Sequence, residues 1–280
     1  MIFVSTGGFK NKNPIKVINF LKRNKIKNIE LSGGKYLKNL SRKLKKEKKI
    51  NLRFHNYFPV PKKKFVINLA SKDKNIFKKS LKHIKRSIDL SSKLNSKYYS
   101  FHAGFRLDPK PKSLGKKLQT EFDISDRKKA LIRFLNRTNM LAKYAKKKNI
   151  KLLVENNVIS KKNLETFNCN PLLLTSPNEI TYFMKKINRN VGLLLDVGHL
   201  KVSAKTLKFN LQKAHKTLSK YIQAYHLSEN NSVNDSNKFF KKNSWFWKHL
   251  KKDLDYYSIE VYSKKIEVIN KCIKIIESKL

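Results

Sequence analysis

The chain has very few cysteines. Cys169 and Cys272 are the only two among 280 residues, and they lie far apart with no Cys-x-x-Cys pair. Small secreted domains that depend on disulfides, and zinc modules built on cysteine, need more cysteines at closer spacing. We therefore expect two free thiols in a reducing cytoplasm and no structural disulfide.

Long hydrophobic runs and flexible linkers are also missing. No apolar stretch approaches the roughly 20 residues that a membrane helix needs. The opening MIFVSTGGFK lacks the basic start and the apolar stretch of a signal peptide. No segment rich in Pro, Gly or Ser divides the chain, and a hydrophobic content of 40% is enough for a substantial core. We expect a cytoplasmic protein without a membrane segment, with one domain over residues 1–280.

Acidic residues and arginines are scarce as well. The 65 basic and 19 acidic residues give a formal net charge of +46, yet nine of the 65 are Arg and 56 are Lys. A surface dedicated to DNA concentrates Arg, which makes bidentate contacts with phosphate and guanine. Here Lys is spread over nearly every helical segment, alongside abundant Asn and Ile, as an AT-rich genome favours. We expect a diffuse positive coat with weak, non-specific polyanion binding at low salt.

What the chain does contain is a series of short apolar runs that each end in a titratable side chain. The runs are rich in β-branched and aromatic residues, which is typical of buried parallel strands. In chain order they end at Glu30, His55, His102, Glu155, Asp196 (followed by His199), His226 and Glu260. In a closed barrel of parallel strands these ends converge on one rim, where active sites lie. The pattern predicts that the side chains meet there.

Segments with helical spacing alternate with these runs. Examples are NPIKVINFLKRN, where Pro14 suits a first helical turn, KYLKNLSRKLKKEKK at residues 35–49, and SPNEITYFMKKIN, where Ser176 and Glu179 predict a capping box. The alternation occurs about eight times, which implies parallel strands with right-handed crossovers. A barrel of eight such units typically needs about 250 residues. The sequence therefore predicts an α/β fold, a single (β/α)8 TIM barrel.

The titratable strand ends have the composition of a divalent-metal site. Mixed carboxylate and imidazole ligands are typical of zinc, manganese, iron or cobalt, whereas magnesium and calcium prefer oxygen ligands. A first ion would take its ligands from four strands: Glu155, Asp196, His226 and Glu260. His55 and His102 add two imidazoles, so that Glu155 could bridge a second ion about 3.5–4 Å from the first. We expect one or two divalent ions (manganese, zinc or cobalt).

Two long rim loops and four further titratable residues also have predicted roles or positions. Residues 56–73 and 228–247 carry several aromatic side chains, which favour ordered walls or lids, with simple packing on the barrel as the alternative. Glu30 either contacts the substrate or holds a rim loop. Three histidines fall in helical segments and are expected at the surface: His83, His215 and His249.

The strand-end motifs resemble those of the xylose-isomerase-like TIM barrels, a family that includes sugar phosphate isomerases, epimerases and endonuclease IV. The motifs are IELSGG, FHNYFPVP, SFHAGF, VENN, LDVGHL, YHLSEN and IEVY, spread over nearly the whole chain, and DVGH followed by HLSEN is the most specific. The resemblance implies a shared set of metal ligands: Glu155, Asp196, His226 and Glu260. It implies that His199 lies near substrate or metal, and that His55 and His102 match positions completing the multi-metal site of endonuclease IV.

The third metal site of endonuclease IV is not matched. That site uses a histidine equivalent to His199 and an Asp-x-His pair after strand seven, where this chain has Asp235, Ser236 and Asn237. Asn is a poor ligand, so Asp235 alone stays as a candidate for an extra metal ligand. The loop that penetrates DNA after strand two is not evident either, and GGKYLKNL stands in its place. Both departures favour a small-molecule enzyme.

We therefore predict a metal-dependent isomerase or epimerase of a sugar or sugar phosphate. In this reading Glu155 and Glu260 transfer the proton as general base and acid, and His199 lines the substrate pocket. The alternative is a zinc phosphodiesterase of the endonuclease IV type, acting at abasic sites in DNA. A barrel that only binds a ligand is a third reading, against which the intact ligand set counts.

Overall fold

Eight parallel strands form a closed barrel in chain order, and β8 pairs with β1 to complete it. This computed structural model describes residues 1–9, 11–113, 118, 123–263 and 265–280. The strands are β1 Ile2–Ser5, β2 Asn28–Leu31, β3 Asn51–His55, β4 Tyr98–His102, β5 Lys151–Glu155, β6 Val191–Asp196, β7 Ile222–Leu227 and β8 Tyr257–Ile259. The predicted (β/α)8 TIM barrel is confirmed.

Helices connect the strands. Within the described residues they are α1 Pro14–Arg23, α2 Leu40–Lys45, α3 Lys74–Lys93, α4 Arg127–Lys146, α5 Lys161–Thr166, α6 Pro177–Lys186, α7 Val197–Leu207, α8 Leu211–Leu218 and α9 Ile266–Glu277. After β7 the chain forms only a 3-10 helix, Trp245–His249, before it enters β8. A helix long and apolar enough to cross a membrane is not found among the described residues. Both cysteines are free, as expected.

Two local predictions about helices need correction. The helix expected over residues 35–49 is confined to α2, because Asn39 at its start has a left-handed φ of 59° and only Leu40 and Leu44 are buried. The capping box at α6 forms only in part. Ser176 Oγ accepts from the Glu179 N–H at 3.4 Å, but Glu179 Oε2 accepts from the backbone of Leu174 at 2.6 Å instead of returning to Ser176.

Side chains alternate between the two faces of each barrel strand. On β5, Leu152 and Val154 belong to the main hydrophobic cluster shared with the helices, whereas Leu153 belongs to a second cluster. That second cluster consists of Phe3, Leu153, Leu194, Ala224 and Tyr256, with Tyr98 packed against it. Because successive residues of a strand point to opposite faces, the second cluster fills the barrel interior. Glu155, two residues after Leu153, points into the same interior nearer the carboxyl end.

Candidate metal centre

The same alternation directs the predicted site residues into the barrel. On β5, β6 and β7 the site residue stands two positions after an interior residue: Glu155 after Leu153, Asp196 after Leu194 and His226 after Ala224. The residues brought to the carboxyl end of the strands are Glu30, His55, His102, Glu155, Asp196, His226 and Glu260, and His199 follows in the first turn of α7. Parallel strands in a barrel leave at one rim, so residues distant in sequence converge there.

Glu155 lies at the centre of this group and is fully buried. Its Oε2 is 3.3 Å from His55 Nε2 and 3.2 Å from His102 Nδ1. Its Oε1 is 3.1 Å from His226 Nδ1. One carboxylate therefore faces three imidazoles from β3, β4 and β7, the arrangement that a bridging ligand between two ions would need.

Two further carboxylates face His226. Its Nδ1 is 2.9 Å from Glu260 Oε2 and 3.9 Å from Asp196 Oδ2. Together with Glu155 these residues offer four ligand atoms that lie within 4.8 Å of one another. Asp196 is fully buried, while the Glu260 side chain is 13% exposed. The set is thus closed on the barrel side and open toward the rim.

The turn from β6 into α7 orients Asp196 and His199. Asp196 caps the helix, because its Oδ1 accepts from the backbone N–H of His199 at 2.7 Å, and its Oδ2 is left facing the cluster. The ring of His199 donates from Nδ1 to the carbonyl of Asn156 at 2.8 Å. Gly198 lets this turn pack closely, since a Cβ there would lie 2.8 Å from Ser228 Oγ. The sequence LDVGH therefore places one carboxylate oxygen and one imidazole at the rim.

The loop after β7 brings Asp235 to the same place. Glu229 and Lys238 form an antiparallel bridge that folds the loop back on itself. Asp235 Oδ2 then lies 3.2 Å from His199 Nε2, with the side chain 21% exposed. Asn237 is buried, and its carbonyl accepts from the backbone of Tyr262 at 2.8 Å. The structure thus places Asp235 beside the cluster.

Two imidazoles are oriented by groups on the side away from the cluster. His226 Nε2 is 2.8 Å from Glu30 Oε2, and the Tyr256 hydroxyl donates to the same oxygen at 2.5 Å. His55 Nδ1 is 3.0 Å from Ser100 Oγ. Glu30 thus contacts neither a rim loop nor the open mouth, contrary to both roles considered from the sequence. Its position at the end of a strand-like run was the only sequence signal for this role.

The charges of the cluster are unbalanced toward acid. Burial works to raise the pKa of Glu155, but the facing histidines, His102 first, outweigh it and hold this pKa well below its usual range. Burial raises the pKa of Asp196 to about 8, although His199 opposes the shift. Burial also lowers the pKa of His102 to about 3. Burial works to lower the pKa of His199 and of His226, but the facing carboxylates, Asp196 and Glu30 first, outweigh it and raise both pKa values well above 6.5.

The donor set fits a divalent cation. Among the described residues, four buried carboxylate oxygens find no hydrogen-bond donor of acceptable geometry: Glu30 Oε1, Glu155 Oε2, Asp196 Oδ2 and Asp235 Oδ1. Glu155 Oε2 and Asp196 Oδ2 belong to the ligand group. Ligands that surround a zinc ion tetrahedrally at about 2.0–2.1 Å lie about 3.3 Å apart. The separations of 3.1 to 3.3 Å between Glu155 and its three histidines agree with that scale. Two further overlapping groups can hold an ion: His55 with Glu155 and His226, and His102 with Glu155 and His199.

The long loops pack on the barrel and cover helices. Phe58, Phe240 and Phe246 are fully buried in the main hydrophobic cluster, which agrees with the packing alternative. Two histidines expected at the surface are buried, so that prediction was wrong. The ring of His83 lies 5.6 Å from that of Tyr57, and the ring of His215 lies 5.6 Å from that of Trp245. Each of these histidines lies on a helix, and an aromatic ring from a long loop covers it.

Comparison with solved structures finds chains that share this fold. A D-tagatose 3-epimerase-like protein is 18% identical, with a TM-score of 0.70 and coverage of 99% of this chain and 98% of that chain. The D-psicose 3-epimerase of Clostridium cellulolyticum, solved with D-tagatose, is 12% identical, with a TM-score of 0.67 and coverage of 100% and 99%. A protein of Thermus thermophilus, soaked with zinc chloride, is 14% identical, with a TM-score of 0.67 and coverage of 99% and 98%.

A sequence comparison with curated proteins gave no match. At the low identities of the solved structures, likeness alone establishes the fold. The family is established by the sequence model of the xylose isomerase-like TIM barrel, which matches residues 20–259. This matched region runs from α1 to the end of β8 and contains all but the last of the seven strand-end residues. The chain therefore belongs to the xylose isomerase-like TIM barrel family.

Proposed function

We propose that this protein is a metal-dependent isomerase or epimerase of a sugar or sugar phosphate. The observation that carries the proposal is the meeting of Glu155 and Glu260, from strands three places apart in the barrel, at one nitrogen of His226, at 3.1 and 2.9 Å. Two carboxylates that converge from different strands suit a reaction in which one removes a proton and the other returns it. The named epimerases among the structural relatives support this reading.

The metal would be held by Glu155, Asp196, His226 and Glu260, a donor set that suits manganese, zinc or cobalt. When bound, such an ion polarises adjacent oxygens of a sugar and makes the C–H bond between them more acidic. His55 and His102 would supply ligands for a second ion that shares Glu155, and Asp235 would be an additional ligand beside His199.

The protein's own carboxylates would carry the proton. One of Glu155 and Glu260 accepts it from the carbon next to the carbonyl, and the other, protonated beforehand, returns a proton to that carbon from the opposite face. The configuration at the carbon is then inverted. Return of the proton to the neighbouring carbon would give the isomer instead. Glu155 is enclosed and Glu260 is 13% exposed, so Glu260 would exchange its proton with solvent more readily.

Substrate would enter from the rim. His199, in the first turn of α7, would contact its oxygens. Tyr262, two residues after Glu260, is 54% exposed and offers an aromatic face at the mouth. Its ring lies over Gly8, where a Cβ would come within 2.8 Å of Tyr262 Cδ1. Sugars present C–H faces that pack well on such rings.

Solvent-exchange measurement tests the proposal directly. Purified protein loaded with manganese, zinc or cobalt would be incubated in D2O with a panel of ketoses, aldoses and their phosphates. We expect deuterium to enter one substrate carbon next to the carbonyl, together with formation of an epimer or isomer. Glu155→Gln and Glu260→Gln should abolish both signals. Glu47→Gln, the same chemical change at a residue paired with Lys22 outside the site, should leave them intact. Failure of every sugar to exchange with any of the three metals would refute the proposal.

A second candidate is a phosphodiesterase of the endonuclease IV type. The observation that favours it is the pair of extra ligand groups, since a single-ion epimerase does not need His55 or His102. Against it stands Asn237, where that enzyme needs a zinc-binding histidine. Incision of an abasic duplex by zinc-loaded protein at about 150 mM salt, abolished by His102→Ala, would promote this candidate to first place.

A further inference from the structure

Glu30 is a buried carboxylate that takes no part in the chemistry proposed above. We infer that Glu30 is a positioning residue that fixes which nitrogen of His226 is available to bind the metal. The inference rests on the metal site within the proposed function and is independent of the sugar chemistry. Glu30 lies on β2, a strand that supplies none of the metal ligands considered above.

The two nitrogens of His226 face different surroundings. Nε2 is 2.8 Å from Glu30 Oε2, on the side away from the ligand cluster. Nδ1 is 3.1 Å from Glu155 Oε1 and 2.9 Å from Glu260 Oε2. Glu30, Glu155 and His226 are fully buried. The ring of His226 therefore lies between the Glu30 carboxylate and the ligand cluster.

The chemistry of imidazole then decides the assignment. A neutral imidazole has one N–H and one lone pair, and a carboxylate can only accept a hydrogen bond. Without an ion, both nitrogens of His226 face carboxylates and both donate a hydrogen, Nε2 to Glu30 and Nδ1 to Glu155 and Glu260. An ion held by Glu155 and Glu260 would take the place of the hydrogen on Nδ1, whereas Glu30, which lies outside the ligand group, would keep the hydrogen on Nε2. A carboxylate bonded to the far nitrogen also makes a ligating histidine more basic and holds its plane. Glu30 thereby favours metal binding without touching the metal.

Tyr256 holds Glu30 in place. Its hydroxyl donates to Glu30 Oε2 at 2.5 Å, and its ring packs edge-on against Phe3 with centroids 5.3 Å apart. Tyr256 and Phe3 both belong to the apolar cluster inside the barrel. The carboxylate is therefore attached to the rigid lower interior, and its position does not depend on the rim loops.

Zinc affinity gives the first test. Chelator competition would compare the wild type with Glu30→Gln, Tyr256→Phe and the control Glu47→Gln. Gln keeps the shape of Glu30 but removes its charge, so we expect affinity about 10–100-fold weaker, the usual cost of losing such a partner. Tyr256→Phe should weaken binding only a few-fold, because the bond between Glu30 and His226 remains. The control should match the wild type.

The ring nitrogens of His226 give a second readout that does not depend on the affinity measurement. Long-range 1H–15N spectra of the zinc-loaded wild type should show His226 bound through Nδ1, with a slowly exchanging hydrogen on Nε2. Glu30→Gln should shift that signal or speed its exchange. A wild type bound through Nε2, or a Glu30→Gln protein with unchanged affinity and unchanged His226 signals, would overturn the inference while leaving the metal site standing. A wild type that binds no divalent ion would overturn the metal site and this inference with it.

Discussion

The barrel interior has two levels of opposite character. Toward the amino ends of the strands it is filled by Phe3, Leu153, Leu194, Ala224 and Tyr256. Two residues further along the same strands stand Glu155 after Leu153, Asp196 after Leu194 and His226 after Ala224, all fully buried. A step of one side-chain repeat thus separates a packed apolar layer from a layer of titratable groups. The two levels share strands, helices and enclosure, and differ only in side chains.

The contrast separates stability from function within one sheet. Burial of apolar side chains stabilises the fold, whereas burial of carboxylates and imidazoles costs free energy unless they are paired. In the upper level the pairing is incomplete, since Glu155 Oε2 and Asp196 Oδ2 lack well-oriented donors among the described residues. Buried carboxylate oxygens without donors are expected at a site that binds a cation. The lower level supplies the rigidity that keeps those groups in place.

Arg53 is the exception in the lower level. It is buried, and its guanidinium carbon lies 4.7, 5.2 and 5.6 Å from the ring centres of Phe3, Tyr98 and Tyr256. Its Nη1 also donates to the carbonyl of Leu52 at 3.2 Å. Three aromatic rings therefore lie around this charge. The buried cation of the lower level thus packs against aromatic rings, whereas the acids of the upper level face imidazoles.

The largest effect is expected at the upper level. Glu260→Gln removes a charge from the ligand set and a proton carrier from the proposed reaction while it keeps the shape of the side chain. We expect kcat/KM to fall by about 10²–10⁴-fold, with a sharp loss of metal content and little change in the free energy of unfolding of the metal-free protein. Activity within tenfold of the wild type would show that the upper level is not the site of the chemistry.

A change in the lower level should act in the opposite way. Leu194→Ala opens a cavity inside the barrel and should reduce the free energy of unfolding by about 2–5 kcal/mol. The metal affinity of the folded protein should stay within a few-fold of the wild type. Denaturant unfolding and chelator competition on the same sample measure both quantities. If Leu194→Ala lost metal as severely as Glu260→Gln, the two levels would not be separable.

Histidines outside the barrel should give a smaller effect that depends on pH. Burial lowers the pKa of His83 and of His215 to about 4, below the ordinary value of 6.5. As pH falls below 6.5, the unfolded chain binds protons at these histidines before the folded protein does. The free energy of unfolding is therefore undiminished above pH 6.5 and decreases as pH falls from 6.5 toward 4. One pKa unit is worth about 1.4 kcal/mol, so each histidine should lower the free energy of unfolding by roughly 3 kcal/mol over this window. His83→Gln should flatten the measured unfolding profile in part, and an unchanged profile would contradict its burial.

The smallest effect is expected at the outer surface. With a net charge of +46, the protein should bind duplex DNA weakly at low salt and release it near about 150 mM, since binding by diffuse charge falls steeply with salt. Glu260→Gln should bind DNA as the wild type does, because the surface and not the metal centre is involved. Salt titrations monitored by fluorescence anisotropy measure this. Retained binding with a preference for abasic duplex would contradict a diffuse coat.

Much of the fold and of the candidate site could be predicted because its signals are local. The strands β3, β4, β5 and β6 end at His55, His102, Glu155 and Asp196, where the apolar runs end. The match at β7 and β8 is one residue less close, since β7 continues to Leu227 and β8 stops at Ile259. A run of buried residues with a polar end is readable from the chain alone, because β structure and closure follow from patterning and alternation.

Other features could not be predicted because they depend on contacts between distant segments. The sequence offered Glu30 two roles, and its actual partner His226 lies on β7, three strands away around the barrel. His83 and His215 have the spacing of surface residues, but rings of two long loops cover them. Asp235 reaches His199 only because the loop after β7 folds back. None of these contacts leaves a periodic signal.

The sequence by itself determined the barrel, the family and the set of residues available at the rim, because hydrophobic periodicity and strand-end motifs are properties of short stretches. Only the tertiary structure decided how those residues pair: which oxygen of Glu155 faces which histidine, which nitrogen of His226 faces the cluster, and which acids lack a partner. The physical reason is that hydrogen bonding and charge pairing depend on distances of a few tenths of an ångström between side chains from different strands, and closure of the barrel alone sets those distances.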